Sequence, residues 1–217
     1  IVIHMRGYPS DFRDIIPKFK SLNIPIIEDC SQCFGGMIDS HRVGHFGDFS
    51  TMSFQYNKMI TAGEGGAVMM NDAESHQKCV RFHNLGMDRK VGEDPTKTND
   101  PVGPGSIASV GLNYRMSEIT ASVALAQLNK IKKIISCCKS NWGKALTMLE
   151  PLIKKGFIIQ RNTSNIATPN YAFLGFKRQK NISHQEILKQ LFELKIPFEH
   201  VNLKDSHHFE IWKFFLD

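Results

Sequence analysis

The order of apolar and polar positions in the first thirty residues predicts a strand, a helix and a second strand. Residues 1–5 are a short apolar stretch that favours a buried strand, and a turn follows it. Residues 11–22 carry apolar side chains at helical spacing, with Ser10 as the expected N-cap. Residues 25–28 form a continuous apolar run, typical of a parallel strand covered on both faces. The pattern predicts a βαβ unit, in which ligand-binding groups gather at the carboxyl ends of the strands.

The next hundred residues continue the same α/β pattern. Short strands are expected at 48–54 and 66–71, on either side of a glycine-rich turn, and a helix is expected at 73–85. Residues 88–106 are rich in Gly, Pro, Asp and Lys. This composition predicts an exposed loop that is long enough to have a function of its own.

A long helix is predicted to end the large domain. Residues 117–149 have sustained helical periodicity, with Ser117 as the expected cap and Pro151 as the expected end. We therefore expect residues 1–150 to form one large domain, with this helix connecting it to the remainder of the chain.

The pattern changes after the long helix and predicts a smaller domain at 151–217. Strands are expected at 157–160 and 171–176, and an amphipathic helix at 183–194. The chain begins in a strand-like stretch without an initiator methionine, as an internal fragment would, and it stops without an evident finish. We therefore expect both domains to be incomplete.

The composition is that of a folded protein, and its charge gives no strong signal for a nucleic-acid partner. The chain has 217 residues, of which 41% are hydrophobic and 22% charged, so it can bury a core and is not disordered. Its net charge of +6 is modest, and the lysines near 130–139 fit a solvated helix face. We expect neither a nucleic-acid partner nor a membrane partner, whereas acidic or phosphorylated small substrates suit the charge.

The five cysteines favour a reducing compartment. An odd number of cysteines in a chain of this size indicates reduced thiols, and we expect a cytoplasmic protein. Cys30 and Cys33 have the spacing of a redox motif or of half a zinc site. This alternative is disfavoured because no second pair with that spacing accompanies them, and no metal site is expected.

The chemistry of the chain is indicated by a lysine and a carboxylate. Lys58 lies among aromatic, apolar and small residues before a glycine turn, and Asp29 ends the second predicted strand. An amine can form a Schiff base with an aldehyde, and an anion can keep a pyridine nitrogen protonated. The two residues are therefore the minimum equipment for binding pyridoxal phosphate.

Several short motifs occur in an order that resembles a known family. They are IEDCSQ at 27–32, GHFGD at 44–48, SF at 53–54, Lys58, GEGG at 63–66 and NYRMS at 113–117. Together they are similar to the DegT/DnrJ-type sugar aminotransferases, which are fold-type I pyridoxal-phosphate enzymes. The resemblance implies a three-layer α/β/α large domain like that of aspartate aminotransferase and a partial α+β small domain. It also implies that strands and a helix of the full family fold precede residue 1.

The resemblance implies a role for each matching residue around the cofactor. Lys58 would form the Schiff base and later move a proton between the substrate carbon and the cofactor. Asp29 would pair with the pyridinium nitrogen, and Gln32 would contact the phenolic oxygen or stack near the ring. Ser53 would donate a hydrogen bond to the cofactor phosphate.

The resemblance also implies a homodimer with shared active sites. Asn113 matches an asparagine that reaches across the dimer interface to the cofactor phosphate of the neighbouring subunit. Arg115 would bind a substrate carboxylate or phosphate, or would brace the interface, and the sequence does not choose between these roles.

The implied activity is the transfer of an amino group from an amino acid, usually glutamate, to a keto-sugar that is commonly nucleotide-linked. Such a reaction belongs to the synthesis of amino sugars for lipopolysaccharide and other surface polysaccharides. Two alternatives stay open. The missing ends suit a truncated, non-catalytic paralogue or a split subunit, and some relatives are dehydratases. A dehydratase is disfavoured because those relatives have histidine where this chain has Lys58.

Overall fold

The computed structural model describes residues 1–87, 109–161, 164–179 and 181–195. The loop predicted at 88–106 and the end of the chain lie outside these residues. The described part contains the following helices: α1 (Ile16–Ser21), α2 (Ala73–His83), α3 (Glu118–Leu128), α4 (Ile131–Lys154) and α5 (His184–Glu193). It contains the following strands: β1 (Val2–Ile3), β2 (Ile27–Asp29), β3 (Met37–Ile38), β4 (His41–Arg42), β5 (Phe49–Ser53), β6 (Gly66–Met70), β7 (Ile158–Gln160), β8 (Ala167–Thr168) and β9 (Phe176–Arg178).

The main sheet has the order β1-β2-β5-β6. Strands β1, β2 and β5 run parallel, and β6 returns antiparallel beside β5. The register places Asp29 opposite Ile3 on one side and Thr51 on the other. The sequence prediction of a parallel strand that ends at this aspartate is therefore confirmed, and the carboxyl ends of the three strands share one edge of the sheet.

The first predicted helix is shorter than expected and begins differently. A 3-10 turn at Arg13–Ile15 leads into α1, and no side chain caps either element. The prediction of Ser10 as an N-cap is wrong, because its hydroxyl donates to the carbonyl of Ile3 at 2.9 Å. Ser10 therefore ties the turn to the end of β1, not to the helix.

The long helix predicted at 117–149 is two helices, α3 and α4. The Ser117 hydroxyl accepts from the amide of Thr120, as predicted for a cap. The amide of Lys130 bonds to the carbonyl of Gln127, a tighter turn that separates the two helices. Pro151 does not end the second helix, which runs on to Lys154. Leu149 and Leu152 are both buried, and their packing compensates for the helix hydrogen bond that Pro151 cannot donate.

A second, three-stranded sheet has the order β4-β3-β8. Strand β8 was not predicted; Ala167 pairs there with Ile38, which lies far earlier in the chain. The strand predicted at 171–176 is found slightly later, as β9. The pairing of β8 with β3 brings the residues that follow β8 close to the end of the first βαβ unit.

Two compact units contain the described residues. The first consists of the described parts of Ile1–Trp142 and Asn162–Leu174, and it includes both sheets named above. The second consists of the described parts of Gly143–Arg161 and Gly175–Asp217, and it includes the β7–β9 pair and α5. These units are not the same as the large and small domains predicted from the sequence, and the boundary expected between those domains at residue 150 stays a prediction.

Candidate functional site

The ends of β2 and β5 bring Asp29 and Ser53 to the same edge of the main sheet. Asp29 is the last residue of β2, and its register partner in β5 is Thr51. Ser53 lies two residues after Thr51 and is the last residue of β5. One oxygen of the half-buried Asp29 carboxylate accepts from the amide of Ser31 at 3.0 Å. Within the described residues its other oxygen has no hydrogen-bond partner. The edge therefore presents a carboxylate with one oxygen left for a ligand.

Lys58 lies in a closed loop that starts where β5 ends. The loop is closed at its base by hydrogen bonds from the Phe54 amide to the carbonyl of Gly65 at 2.8 Å and from the Ala62 amide to the carbonyl of Phe54 at 2.9 Å. The amide of Lys58 donates to the carbonyl of Gln55 at 3.0 Å. Among the residues described, no acidic side chain forms an ion pair with its half-buried amine.

Gln32 lies in the turn after β2, and its side-chain amide has a defined orientation. Its Oε1 accepts from the amide of Arg6 at 2.9 Å. Because the oxygen faces this donor, the NH2 group is the end of the side chain that can serve a ligand. The carbonyl of Gln32 accepts from the side chain of Asn170 at 3.1 Å, and Asn170 is a residue that the sequence analysis did not single out.

Asn113 and Arg115 lie in the segment before α3 and contact each other. Asn113 Oδ1 accepts from Nε of Arg115 at 3.1 Å, and the Arg115 side chain is exposed. This segment borders the lysine loop, since a Cβ added to Gly65 would lie 2.6 Å from the Met116 side chain. The hydrogen bonds of the described residues link Asn113 to neither Asp29 nor Lys58. The roles expected for Asn113 and Arg115 stay predictions.

Glu28 forms a buried carboxylate site beneath this edge. Its side chain is completely buried and accepts from the amides of Gly44 at 2.8 Å, Phe46 at 2.7 Å and Gly47 at 2.6 Å. Nε2 of the equally buried His4 provides a fourth bond at 3.0 Å. Burial raises the pKa of Glu28, but the bonds from His4 and the three amides outweigh it, and the net pKa is lowered. An acid inside an otherwise apolar run at 26–28 was the available signal for this site.

One group of three metal-ligand side chains occurs in the described part of the chain, namely His4, Glu28 and Cys30. Both ring nitrogens of His4 are already bonded, since Nε2 is bonded to Glu28 and Nδ1 accepts from the amide of Ser10 at 3.0 Å.

The Cys30 and Cys33 thiols are both completely buried in a core cluster with Val43. Burial raises the pKa of both thiols, that of Cys33 to about 12. These side chains are therefore core and network residues, not the reactive thiolates of a redox motif.

The parallel strands and the helices between them make this an α/β fold, and the comparisons with known proteins identify its class as that of the aminotransferases. Residues 1–213 match the DegT/DnrJ/EryC1/StrS aminotransferase family, and the chain belongs to this family. The GDP-perosamine synthase of Escherichia coli O157:H7 is 38% identical over 136 residues, which are 62% of this chain and 34% of that protein. The GDP-perosamine synthase of Vibrio cholerae is 33% identical over 137 residues, 62% of this chain and 34% of the relative. The chain therefore spans about a third of the length of these curated relatives.

Solved structures share this fold. An aminotransferase from Psychrobacter cryohalolentis superposes with a TM-score of 0.78 at 25% identity, over 90% of this chain and 52% of that one. PseC of Helicobacter pylori, an aminotransferase involved in the biosynthesis of pseudoaminic acid, superposes with a TM-score of 0.74 over 97% of this chain and 55% of that one. Its identity of 21% supports the shared fold alone. None of the helices in the described residues has the length and apolar character needed to cross a membrane.

Proposed function

We propose that this chain carries the lysine and the carboxylate of a pyridoxal-phosphate-dependent aminotransferase that passes nitrogen from an amino acid to a keto-sugar. The observation that supports the proposal is that Asp29 and Ser53 end neighbouring parallel strands at the same edge of the sheet, and that the loop of Lys58 begins directly after Ser53. Ligands of open α/β sheets bind at such edges. The names of the GDP-perosamine synthases support a nucleotide-linked sugar as the acceptor.

The donors and acceptors at this edge fit the polar groups of pyridoxal phosphate. The unbonded oxygen of Asp29 would accept from a protonated ring nitrogen. The NH2 group of Gln32 would donate to the phenolic oxygen. The Ser53 hydroxyl accepts from the amide of Gln55 at 3.3 Å, which leaves its own proton to donate to the phosphate. The amine of Lys58 suits the aldehyde.

The chemistry divides among these side chains. When bound, pyridoxal phosphate supplies an electron sink and carries nitrogen between the amino donor and the acceptor. The negative charge of Asp29 would keep the ring nitrogen protonated and so maintain that sink. Nζ of Lys58 would take the proton from the substrate carbon and return it later, as a general base and then a general acid.

Amino transfer can be separated from dehydration by following labelled nitrogen. The full-length protein would be supplied with pyridoxal phosphate, glutamate labelled at its amino nitrogen and a nucleotide-linked keto-sugar, and the products analysed by mass spectrometry. We expect a labelled amino sugar from the unaltered protein and from Lys18→Ala, which removes an exposed lysine of α1, but not from Lys58→Ala. A deoxy-keto product without the label would contradict the proposal and favour a dehydratase.

A second copy of the chain is proposed as the partner in the site. Asn113 Oδ1 is occupied by Arg115, so its NH2 group is the end that could donate to a phosphate in a neighbouring subunit. The exposed Arg115 would either neutralise a substrate anion or brace the same interface. Two shared sites in a symmetric dimer follow from this arrangement.

A further inference from the structure

Asn170 is a buried polar residue whose side-chain amide is fully bonded. It is only 1% exposed. Its NH2 group donates to the carbonyls of Gln32 at 3.1 Å and Phe34 at 3.3 Å, and its Oδ1 accepts from the amide of Ala172 at 3.0 Å. The side chain therefore has one orientation only, with two donors directed at the turn that follows β2.

The backbone of Asn170 binds the turn after β1 as well. Its amide donates to the carbonyl of Gly7 at 3.0 Å. Gly7 has φ +78°, and a Cβ added there would collide with Oδ1 of Asn170. Glycine is thus required at this position both by its conformation and by the close approach of the asparagine.

Gln32 is consequently held at two points. Its side-chain oxygen is bound by the amide of Arg6, the neighbour of Gly7, and its carbonyl is bound by Asn170. Arg6 itself has φ 57°, a left-handed conformation that is uncommon outside glycine and is kept only where the surroundings support it. One hydrogen-bonded network therefore links Asn170 to the turn at 6–7 and to the turn at 32–34.

We propose that Asn170 is a positioning residue that directs the NH2 group of Gln32 towards the bound cofactor. The inference rests on the proposed function, in which Gln32 donates to the phenolic oxygen. Removing the two donors of Asn170 would leave the carbonyls of Gln32 and Phe34 without their partner and loosen the turn. Gln32 would then lose its fixed direction without any change in its own identity.

The test compares Asn170→Asp with Gln32→Ala and with the double variant in the full-length protein. The aspartate keeps an oxygen that accepts from the amide of Ala172. Its other oxygen replaces the NH2 group and cannot donate to the carbonyls of Gln32 and Phe34. Asn170→Ser, whose hydroxyl can donate to one carbonyl, is made in parallel in case the aspartate variant does not fold. Asn141→Asp, at an exposed asparagine of α4, is the matched control. The readouts are the dissociation constant for pyridoxal phosphate, the pH midpoint of the visible absorbance of the bound cofactor, and thermal unfolding.

We expect the Asn170 variants to bind pyridoxal phosphate roughly tenfold more weakly. We also expect the absorbance midpoint to rise by about one pH unit, because a donor on the phenolic oxygen competes with the neighbouring proton for that oxygen. Gln32→Ala should give the same midpoint, and adding an Asn170 substitution to it should move the midpoint no further. Asn141→Asp should leave both quantities unchanged.

The outcomes separate this inference from the proposed function. An Asn170 variant that unfolds at a lower temperature but keeps the midpoint of the unaltered protein overturns the positioning role and leaves the cofactor assignment intact. A further shift in the double variant also overturns it, because Asn170 would then act independently of Gln32. Absence of any visible band in the unaltered protein overturns the proposed function and this inference with it.

Discussion

The carboxylate of Glu28 accepts a hydrogen bond of 3.0 Å from Nε2 of His4, and both side chains are completely buried. Nδ1 of the same ring accepts from the amide of Ser10. An imidazole that accepts at Nδ1 and donates at Nε2 is neutral, so Glu28 carries the charge of the pair. Neighbouring side chains on a strand point to opposite faces, so this network also fixes the direction of Asp29.

Replacing Glu28 by glutamine should destabilise the protein by about 3 kcal/mol. The four donors around Glu28 form two pairs, one on each oxygen, and the NH2 group of a glutamine would have to face one pair. Urea unfolding of Glu28→Gln measures the loss. Glu74→Gln is the matched control, because Glu74 forms an exposed ion pair with Lys78 and should cost no more than about 0.5 kcal/mol. Equal losses in the two variants would contradict the structural role of Glu28.

Stability should fall in acid, partly because of Glu28. The pKa of Glu28 in the folded protein lies below the ordinary value of 4.5. Its ionised carboxylate therefore contributes fully to the stability of the fold above about pH 4.5, and this contribution is lost as the pH falls through the pKa of the folded protein. Unfolding free energies measured from about pH 7 to about pH 3 should therefore decline less steeply in Glu28→Gln. Asp11 and Asp72, whose pKa values are lowered by bonds to Arg13 and Ser75, are present in both proteins and do not affect the difference. Parallel declines would refute this prediction.

Local patterns predicted the elements that are built from neighbouring residues. The strands β1, β2, β5 and β6 and the helix α2 are short apolar or periodic segments bounded by turn residues, and the Ser117 cap depends on a residue three positions away. Lys58 and Asp29 could be selected as candidates because their local settings are unusual for a lysine and a carboxylate, and their roles stay predictions.

Features that depend on distant contacts were not predictable in this way. Asn170 binds a carbonyl 138 positions earlier in the chain, and nothing in its own neighbourhood indicates burial. Ser10 has the local character of a helix cap, yet its partners are His4 and Ile3 at the end of β1. The continuation of α4 past Pro151 likewise depends on the burial of leucines, which outweighs the strong tendency of proline to end a helix.

Replacing Asp29 by asparagine should separate catalysis from folding. The asparagine can still accept from the amide of Ser31, so we expect little change in thermal unfolding. Loss of the negative charge beside the ring nitrogen should lower the rate of amino transfer by about a hundredfold or more. Steady-state kinetics with glutamate and the keto-sugar measure this effect, and an unchanged kcat would remove Asp29 from the site.

Subunit mixing tests whether Asn113 serves the site of a second copy. Lys58→Ala and Asn113→Ala proteins, each inactive alone, would be unfolded together and refolded as a mixture. If each site takes Lys58 from one subunit and Asn113 from the other, half of the sites in mixed dimers are intact, and the mixture should recover about a quarter of the unaltered activity. Each protein refolded alone is the control. No recovery in dimers shown to be mixed would contradict a shared site.

The most direct test of the account is to locate the residue that bonds to the cofactor. The full-length protein would be incubated with pyridoxal phosphate, reduced with borohydride, digested and mapped by mass spectrometry, alongside Lys58→Ala and Lys18→Ala. We predict one predominant cofactor adduct, on the peptide that contains Lys58, which is present in the Lys18→Ala protein and absent from the Lys58→Ala protein. A stoichiometric adduct on another lysine, or one that persists at full yield in Lys58→Ala, would contradict it.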